Sequence, residues 1–303
     1  MRWRKLGLVY APAGDQPWAR QYAHVPTPVV WDQRTIRVYF AGLDGEKYGR
    51  VGYVDVDAND PTRVRTDSRE PVLDLGEPGT FDDSGVNPSC VVRAGDRWRM
   101  YYVGWQRSRQ VPYLLFAGLA ESADGEQFER VSRTPVLERT DAEPFLRSAT
   151  SVLAVEGGYR AWYVSATGWT SVNGEPYPRY VVRTTDSPDG VVWSNGGPVC
   201  IDLNGDEFGI GRPWVVRDPD RYRMWYSIRS HSRPYRIGYA VSADGVRWER
   251  QDDRVGLVAS ASGWDSEMVC YAAAIDVNGR RLMFYNGNRH GATGFGVAVL
   301  EQD

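Results

Sequence analysis

The chain has few of the residues that usually announce a metal, redox or nucleophile site: only three cysteines and three histidines occur among 303 residues. Cys90, Cys200 and Cys270 are odd in number, far apart and outside any CxxC spacing. That excludes a disulfide framework and a cysteine-rich zinc site, and leaves them as core thiols. The histidines and scattered acids form no recognisable ligand motif, so no metal and no cofactor is expected. A long apolar run is missing too, which argues against a membrane span. The N-terminal stretch MRWRKLGLVYAPAG lacks the apolar core of a secretory signal, and a cytoplasmic location is therefore expected. Nor is there an excess of one charge: 36 basic against 39 acidic residues give a net charge of −3 and no electrostatic reason to bind nucleic acid or an acidic membrane. Walker loop, GxSxG elbow, dinucleotide fingerprint and HExxH are all absent.

What the chain has in quantity is aromatic residues and glycine, with 12 Trp, 18 Tyr and 32 Gly, a mixture suited to strands, turns and aromatic-lined surfaces. Its length fits either two domains or one large β-domain. An internal repeat decides between them. An aromatic doublet closes a short β-type run at Tyr39-Phe40, Tyr101-Tyr102, Trp162-Tyr163, Trp225-Tyr226 and Phe284-Tyr285. The second members are spaced by 62, 61, 63 and 59 residues. Each unit places a short apolar run and a turn before the doublet and a third run after it. Asp124-Gly125, Asp189-Gly190 and Asp244-Gly245 then supply turns, and Phe128, Trp193 and Trp248 open a fourth strand.

Four antiparallel strands repeated five times describe an all-β, single-domain, five-bladed β-propeller over 1–303, with blades at about 20–75, 80–140, 143–203, 206–258 and 263–301. Unit five stops after its third strand, while RWRKLGLVY at 2–10 is an orphan whose Trp3 matches the fourth-strand aromatics. The N-terminus is thus expected to supply the outer strand of the last blade, which leaves no open edge between blades. The doublets recur in every unit and belong to packing. DVDANDP lacks the spacing of a calcium loop and reads as an outer turn of blade one, and GFGVAV as a strand of blade five.

Shared residues build the scaffold, so polar residues that differ between blades are the functional candidates. With the innermost strands aligned, their upstream ends read Gln21, Asp83, Pro144 beside Glu143, Glu207 and Asp265, a ring of acids, with Glu267 on the same strand face as Asp265 by period two. His24, Asn87, Arg147, Ser148 and Arg212 follow where a buried strand should be apolar. Two readings stand. The charges tie blades together as ion pairs, or crowded carboxylates have their pKa values forced apart into the acid and base that glycosidic cleavage needs. Second-strand ends and their loops add Trp105, Gln106, Arg107, Trp169, Arg229, His231, Asn286, Asn288, Arg289 and His290, where Trp faces suit sugar rings and Asn and Arg suit hydroxyls or carboxylates.

The units YRMWYSIRS…YRIGYAVSADGVRWER and FDDSGVNPSCVVRAGDRWRMYYVGW resemble the five-bladed propeller glycosidase superfamily, meaning glycoside hydrolase families 43, 32 and 130 and their unclassified relatives, over essentially the whole chain. The resemblance implies a funnel on the propeller axis with acids at the innermost strand ends. Family 43 enzymes place an Asp base in blade one, an auxiliary Asp in blade two and a Glu acid in blade three. Here blade one has Gln21 and His24, and blade three has Glu143 followed by Pro144. Either the catalytic set has moved to Asp83, Glu207, Asp265 and Glu267, or the chemistry has changed. Family 130 relatives cleave by phosphate attack, and the resemblance implies that Arg147, Arg212 and His290 hold phosphate or the carboxylate of an acidic sugar.

The expectation is a glycoside hydrolase-like enzyme acting on a small-molecule or oligosaccharide substrate, as a monomer or small homo-oligomer. Glu267 is assigned as general acid because Met268 and Trp264 would raise its pKa, Asp83 as base, and Asp265 and Glu207 as positioning groups. The alternatives are a non-catalytic glycan or sugar-nucleotide binding propeller, and a biosynthetic enzyme that uses the same pocket for another acid-base reaction.

Overall fold

The alternation of apolar runs with Gly- and Asp-rich turns produces strands and almost nothing else. The structure, a computed structural model, describes residues 1–303. Strand β1 (Arg2–Tyr10) opens the chain. The first repeat unit forms β2 (Gln21–Val30), β3 (Thr35–Leu43), β4 (Gly49–Asp57) and β5 (Val64–Asp67), each antiparallel to the one before. The second forms β6 (Gly85–Ala94), β7 (Arg97–Arg107), β8 (Tyr113–Ser122) and β9 (Glu129–Arg130) in the same way. The third forms β10 (Arg147–Val155), β11 (Gly158–Val172), β12 (Glu175–Ser187) and β13 (Val199–Ile201). The fourth forms β14 (Glu207–Arg217), β15 (Tyr222–Ser230), β16 (Arg236–Ser242) and β17 (Glu249–Arg250). The last supplies β18 (Cys270–Val277), β19 (Arg280–Asn286) and β20 (Phe295–Gln302), and β1 pairs antiparallel with β20 at the outer position. No helix is long and apolar enough to cross a membrane.

The two members of each aromatic doublet point to opposite faces and do different work. First members reach the next set: Tyr39 Oη donates to the Gly125 carbonyl at 2.8 Å, Tyr101 Oη to Gly190 at 2.8 Å and Trp162 Nε1 to Gly245 at 2.7 Å. Those glycines sit in the three Ser-x-Asp-Gly turns with φ of 69°, 75° and 74°, where any other residue would be strained. In each turn the serine hydroxyl accepts from the glycine N–H at 2.8 Å. Arg99 and Arg160 also donate to carbonyls of the next set's turn. Between the fifth and first sets, Arg280 donates to the carbonyls of Ala58 and Asn59, so DVDANDP is a docking turn.

Apolar slabs fill the spaces between neighbouring sets. One packs Tyr39, Val51 and Phe81 with Met100 and Tyr102, and another packs Val9, Trp18 and Phe40 with Val277, Phe284 and Phe295, joining first and fifth sets. The first strands of the sets, β2, β6, β10, β14 and β18, each touch the next, and β18 touches β2. Their shared interior is where the candidate site lies.

Candidate functional site

All five first strands break register, between His24 and Thr27, Pro88 and Cys90, Ser148 and Ser151, Gly211 and Trp214, and Cys270 and Ala273. Such bulges re-aim side chains out of the regular pleat. Four of them hold a non-glycine residue in the left-handed region: Val25 (φ 55°), Ala149 (48°), Arg212 (47°) and Tyr271 (55°). That conformation costs roughly 1–3 kcal/mol at a single residue, and recurring at equivalent places it marks a built feature.

The bulges frame a central cavity of about 100 Å³ lined by Val25, Asn87, Ser148, Arg212, Arg229 and Tyr271 among others, with no carboxylate in its wall. Arg212 is 4% exposed and spans the interior. Its guanidinium donates to the carbonyls of Ala272 at 2.9 Å and Pro26 at 2.8 Å and to Thr27 Oγ1 at 2.9 Å, so three sets meet on it. Burial pulls it down to about 9, still cationic at neutral pH. Arg229 lies among Tyr177, Tyr180 and Tyr235 and donates to the Tyr235 hydroxyl. Neither Arg212 nor the half-buried Arg229 has a carboxylate partner, although the buried Arg37, Arg147 and Arg223 all do. Arg212 Nε, Arg229 Nη1, Ser148 Oγ and Tyr180 Oη are buried without any hydrogen-bond partner. An uncompensated buried cation beside unmatched polar atoms is costly unless an anion completes the site.

The ring of acids is arranged differently from the mouth-facing ring expected of it. Asp82, rather than its neighbour Asp83, occupies the key position: 1% exposed, it accepts from Tyr102 Oη at 2.9 Å and Arg130 Nε at 2.7 Å. Glu143 accepts from Tyr163 Oη at 2.9 Å and sits 3.4 Å from Arg147 Nε. Asp265 accepts from Tyr285 Oη at 3.0 Å and Lys5 Nζ at 2.6 Å. In all three the tyrosine is the second doublet member, 20 residues on. Glu207 is held by Arg236 and Arg250, each at 2.9 Å. These carboxylates thus pair within their own sets, because a buried charge gains more from a nearby tyrosine and cation than from another acid. Asp83 is half-buried and accepts from the Gly79 N–H and Ser84 Oγ, each at 2.9 Å. Glu267 is exposed and lies with Asp265 in a loop before β18 rather than on one strand face, its N–H captured by Asn288 Oδ1 at 2.7 Å. None of Asp83, Glu207, Asp265 and Glu267 lines the central cavity.

The other expected residues divide in the same manner. Asn87, Ser148, Arg212 and Arg229 line the cavity. His24 stacks on Tyr22 at 4.5 Å and lies close enough to His290 for their charges to oppose each other. His290, in a turn at φ 61°, packs edge-on to Tyr235 at 4.7 Å and 6.4 Å from the Tyr271 ring. Burial holds both imidazoles neutral, with pKa values lowered to about 3 for His24 and about 4 for His290, the Arg229 charge helping at His290. Trp169 packs beside Val164 and Tyr180, two cavity residues. Trp105 covers Gly85, where no Cβ would fit. Arg147 is the counter-ion of Glu143, and Asn288 clamps the loop through Gly263, so neither lines the cavity.

No family model matches the sequence. It is 40% identical over 302 residues to the "Uncharacterized protein Rv1502" of Mycobacterium tuberculosis, covering 99% of this chain and 100% of that protein. The chain belongs to the Rv1502 family. Among solved structures, a glycoside hydrolase superposes with TM-score 0.75 at 18% identity, covering 97% of this chain and 90% of its own. A thermostable family-43 glycoside hydrolase gives 0.68 at 15%, covering 93% and 89%. A structure described under the GH130 family of mannoside phosphorylases, containing glycoside hydrolases that target β-1,2 mannosidic linkages in Candida mannan, gives 0.70 at 16%, covering 98% and 93%. This chain therefore has the all-β propeller fold of these glycoside hydrolase-like structures.

Sequence reasoning missed several residues of the site in this member of the Rv1502 family. Tyr180, Tyr235 and Tyr271 surround Arg229 yet come from three sets. One signal was available for Tyr180: its hairpin β11–β12 is longer than its counterparts, with strands of 15 and 13 residues. Tyr271 carried none, since its inward aim depends on a bulge.

Proposed function

We propose that this chain is a carbohydrate-active protein built as one domain over 1–303, a propeller of five blades closed by β1, whose axial cavity binds the anionic group of a sugar through Arg212 and Arg229. The observation that carries this is a buried and a half-buried guanidinium, with Arg212 Nε and Arg229 Nη1 buried and without a partner and no carboxylate in the cavity wall. The narrow cavity suits a carboxylate or phosphate, while the ring it belongs to would rest at the rim against Trp169, Tyr235 and His290. Closure of the five sets is supported by β18 touching β2 and by the slab shared between the fifth and first sets. Three free thiols suit a cytoplasmic protein.

Calorimetric titration with uronic acids, sugar phosphates and their neutral parent sugars tests the reading. Only the anionic sugars should bind, and Arg212→Gln should weaken them at least tenfold, since a hydrogen bond from a charged group contributes about 1.5–3 kcal/mol. Equal binding of neutral sugars would refute it.

Glycosidic cleavage by carboxylates is a second reading, favoured by one observation. Glu207, Asp252 and the exposed Glu267 border a common cleft together with Tyr235, a residue that also touches Arg229. Chromatography of oligosaccharide digests with and without phosphate decides it: free sugar in both marks a hydrolase, and sugar phosphate only with phosphate marks a phosphorylase.

A further inference from the structure

The cavity wall holds no carboxylate, so the acid and base that glycoside hydrolysis requires are missing where the anion would be held. Other proton-transfer groups stand there. The Tyr271 ring belongs to the wall, and the Arg229 guanidinium lies against it and lowers the cost of charge on it. His290 is not in the wall but packs behind it, 4.7 Å from the Tyr235 ring and 6.4 Å from the Tyr271 ring, on the turn Asn288–Gly291, whose Arg289 and His290 both have left-handed backbone, φ 51° and 61°. Its imidazole is neutral at pH 7, with a lone pair free to take a proton, and burial keeps the Tyr271 hydroxyl protonated. Two unpaired cations, a neutral imidazole and a protonated phenol are the groups needed to remove a proton α to a carboxylate.

We infer that the chain cleaves uronate-containing oligosaccharides by β-elimination, with Arg212 and Arg229 neutralising the C6 carboxylate, His290 removing the C5 proton and Tyr271 protonating the leaving C4 oxygen. This rests on the reading of the cavity as an anionic-sugar site. The guanidiniums draw charge from the carboxylate and make the C5–H bond acidic. His290 takes that proton, and the electron pair of the C5–H bond becomes the C4=C5 double bond. The C4–O bond breaks, and the departing oxygen takes the phenolic proton. Return of the proton from imidazolium to phenolate restores both groups, so no water, oxidant or other co-reactant is consumed. A cavity of about 100 Å³ takes the carboxylate more readily than the whole ring, and the elimination requires C4 and C5 to lie outside it, within reach of His290 and Tyr271.

The test is incubation with oligomers of galacturonate, glucuronate, mannuronate and guluronate, read by ultraviolet absorbance of the conjugated double bond and by mass spectrometry. At least one oligomer should give absorbance, with fragment masses that sum to the substrate mass. His290→Asn tolerates the left-handed turn and should lower kcat about 10²–10⁴-fold, a larger loss than any accompanying change in uronate affinity. Tyr271→Phe should lose rate on sugar leaving groups and recover it on a 4-O-nitrophenyl uronate, which a merely structural tyrosine would not do. Fragments that have gained water, or tight uronate binding without turnover of any oligomer, would overturn the elimination and leave the binding site standing. Absence of uronate binding would overturn both.

Discussion

Tyr102, Tyr163 and Tyr285 each donate to an acid 20 residues earlier, and in each case a cation completes the pair. A buried carboxylate placed in this way is a scaffold element. Removing Glu143 would leave Arg147, itself 1% exposed, without its carboxylate. Glu143→Ala should therefore destabilise by about 3–5 kcal/mol. Tyr163→Phe, which deletes the hydroxyl that donates to Glu143 and accepts from Arg147 but leaves the ion pair, should cost less, about 1–2 kcal/mol. Urea denaturation of the two variants checks the contrast. Arg212 is the opposite case, a buried cation whose matching charge the chain does not supply.

At the scale of the element, β1 is tied by more than its ladder, both to its own set and to the fourth. Lys5 Nζ meets Asp265 at 2.6 Å, Trp3 Nε1 donates to the Val255 carbonyl at 3.0 Å, and the Trp3 ring packs on Trp225. Lys5→Met should cost about 3 kcal/mol, because it leaves a buried carboxylate unpaired. Deleting residues 1–10 should do worse, since it also uncovers the edge of β20, and an open strand edge recruits other chains. Size-exclusion chromatography of the truncated chain should show aggregate in place of the folded species. The repeat spacing, the hairpin turns and this outer strand were all legible in the sequence, because they depend on local patterns of turn residues and alternating apolar positions. The direction in which the strand-end acids point was not legible. It depends on which tyrosine and which cation lie in reach of each acid, and in the second set the acid so held is Asp82, the neighbour of the expected Asp83.

For the whole molecule, pH dependence follows from groups held in one protonation state. His24, faced by His290 and Tyr22, and His290, faced by Arg229, Tyr235 and Tyr271, are both lowered well below the ordinary histidine value, to about 3 and about 4. The unfolded chain therefore binds protons that the folded chain does not. Their contribution is complete above about pH 6.5 and is lost as pH falls toward 4, at up to about 1.4 kcal/mol per pH unit for each histidine. Thermal melts between pH 4 and 7 should slope accordingly, and His24→Phe combined with His290→Asn should flatten that limb. Asp44, Asp218 and Asp303, all lowered by arginine partners or backbone N–H groups, add acid sensitivity of the same sign at lower pH.

The sequence by itself determined the all-β repeat, the turns that punctuate it and the place of each aromatic doublet, since these follow from short-range periodicity and from what glycine and β-branched residues permit. It also singled out Arg212, Arg229, His24 and His290, because charged or titratable residues in a buried strand or its loop are conspicuous wherever they occur. Only the tertiary structure decided that the acids turn away into their own sets while the arginines stay unmatched in the centre. That choice rests on bulges that rotate single residues into the left-handed region and on side chains meeting from strands some 60 to 190 residues apart, as where Arg212 contacts Ala272 and Pro26. Neither leaves a local trace in the chain.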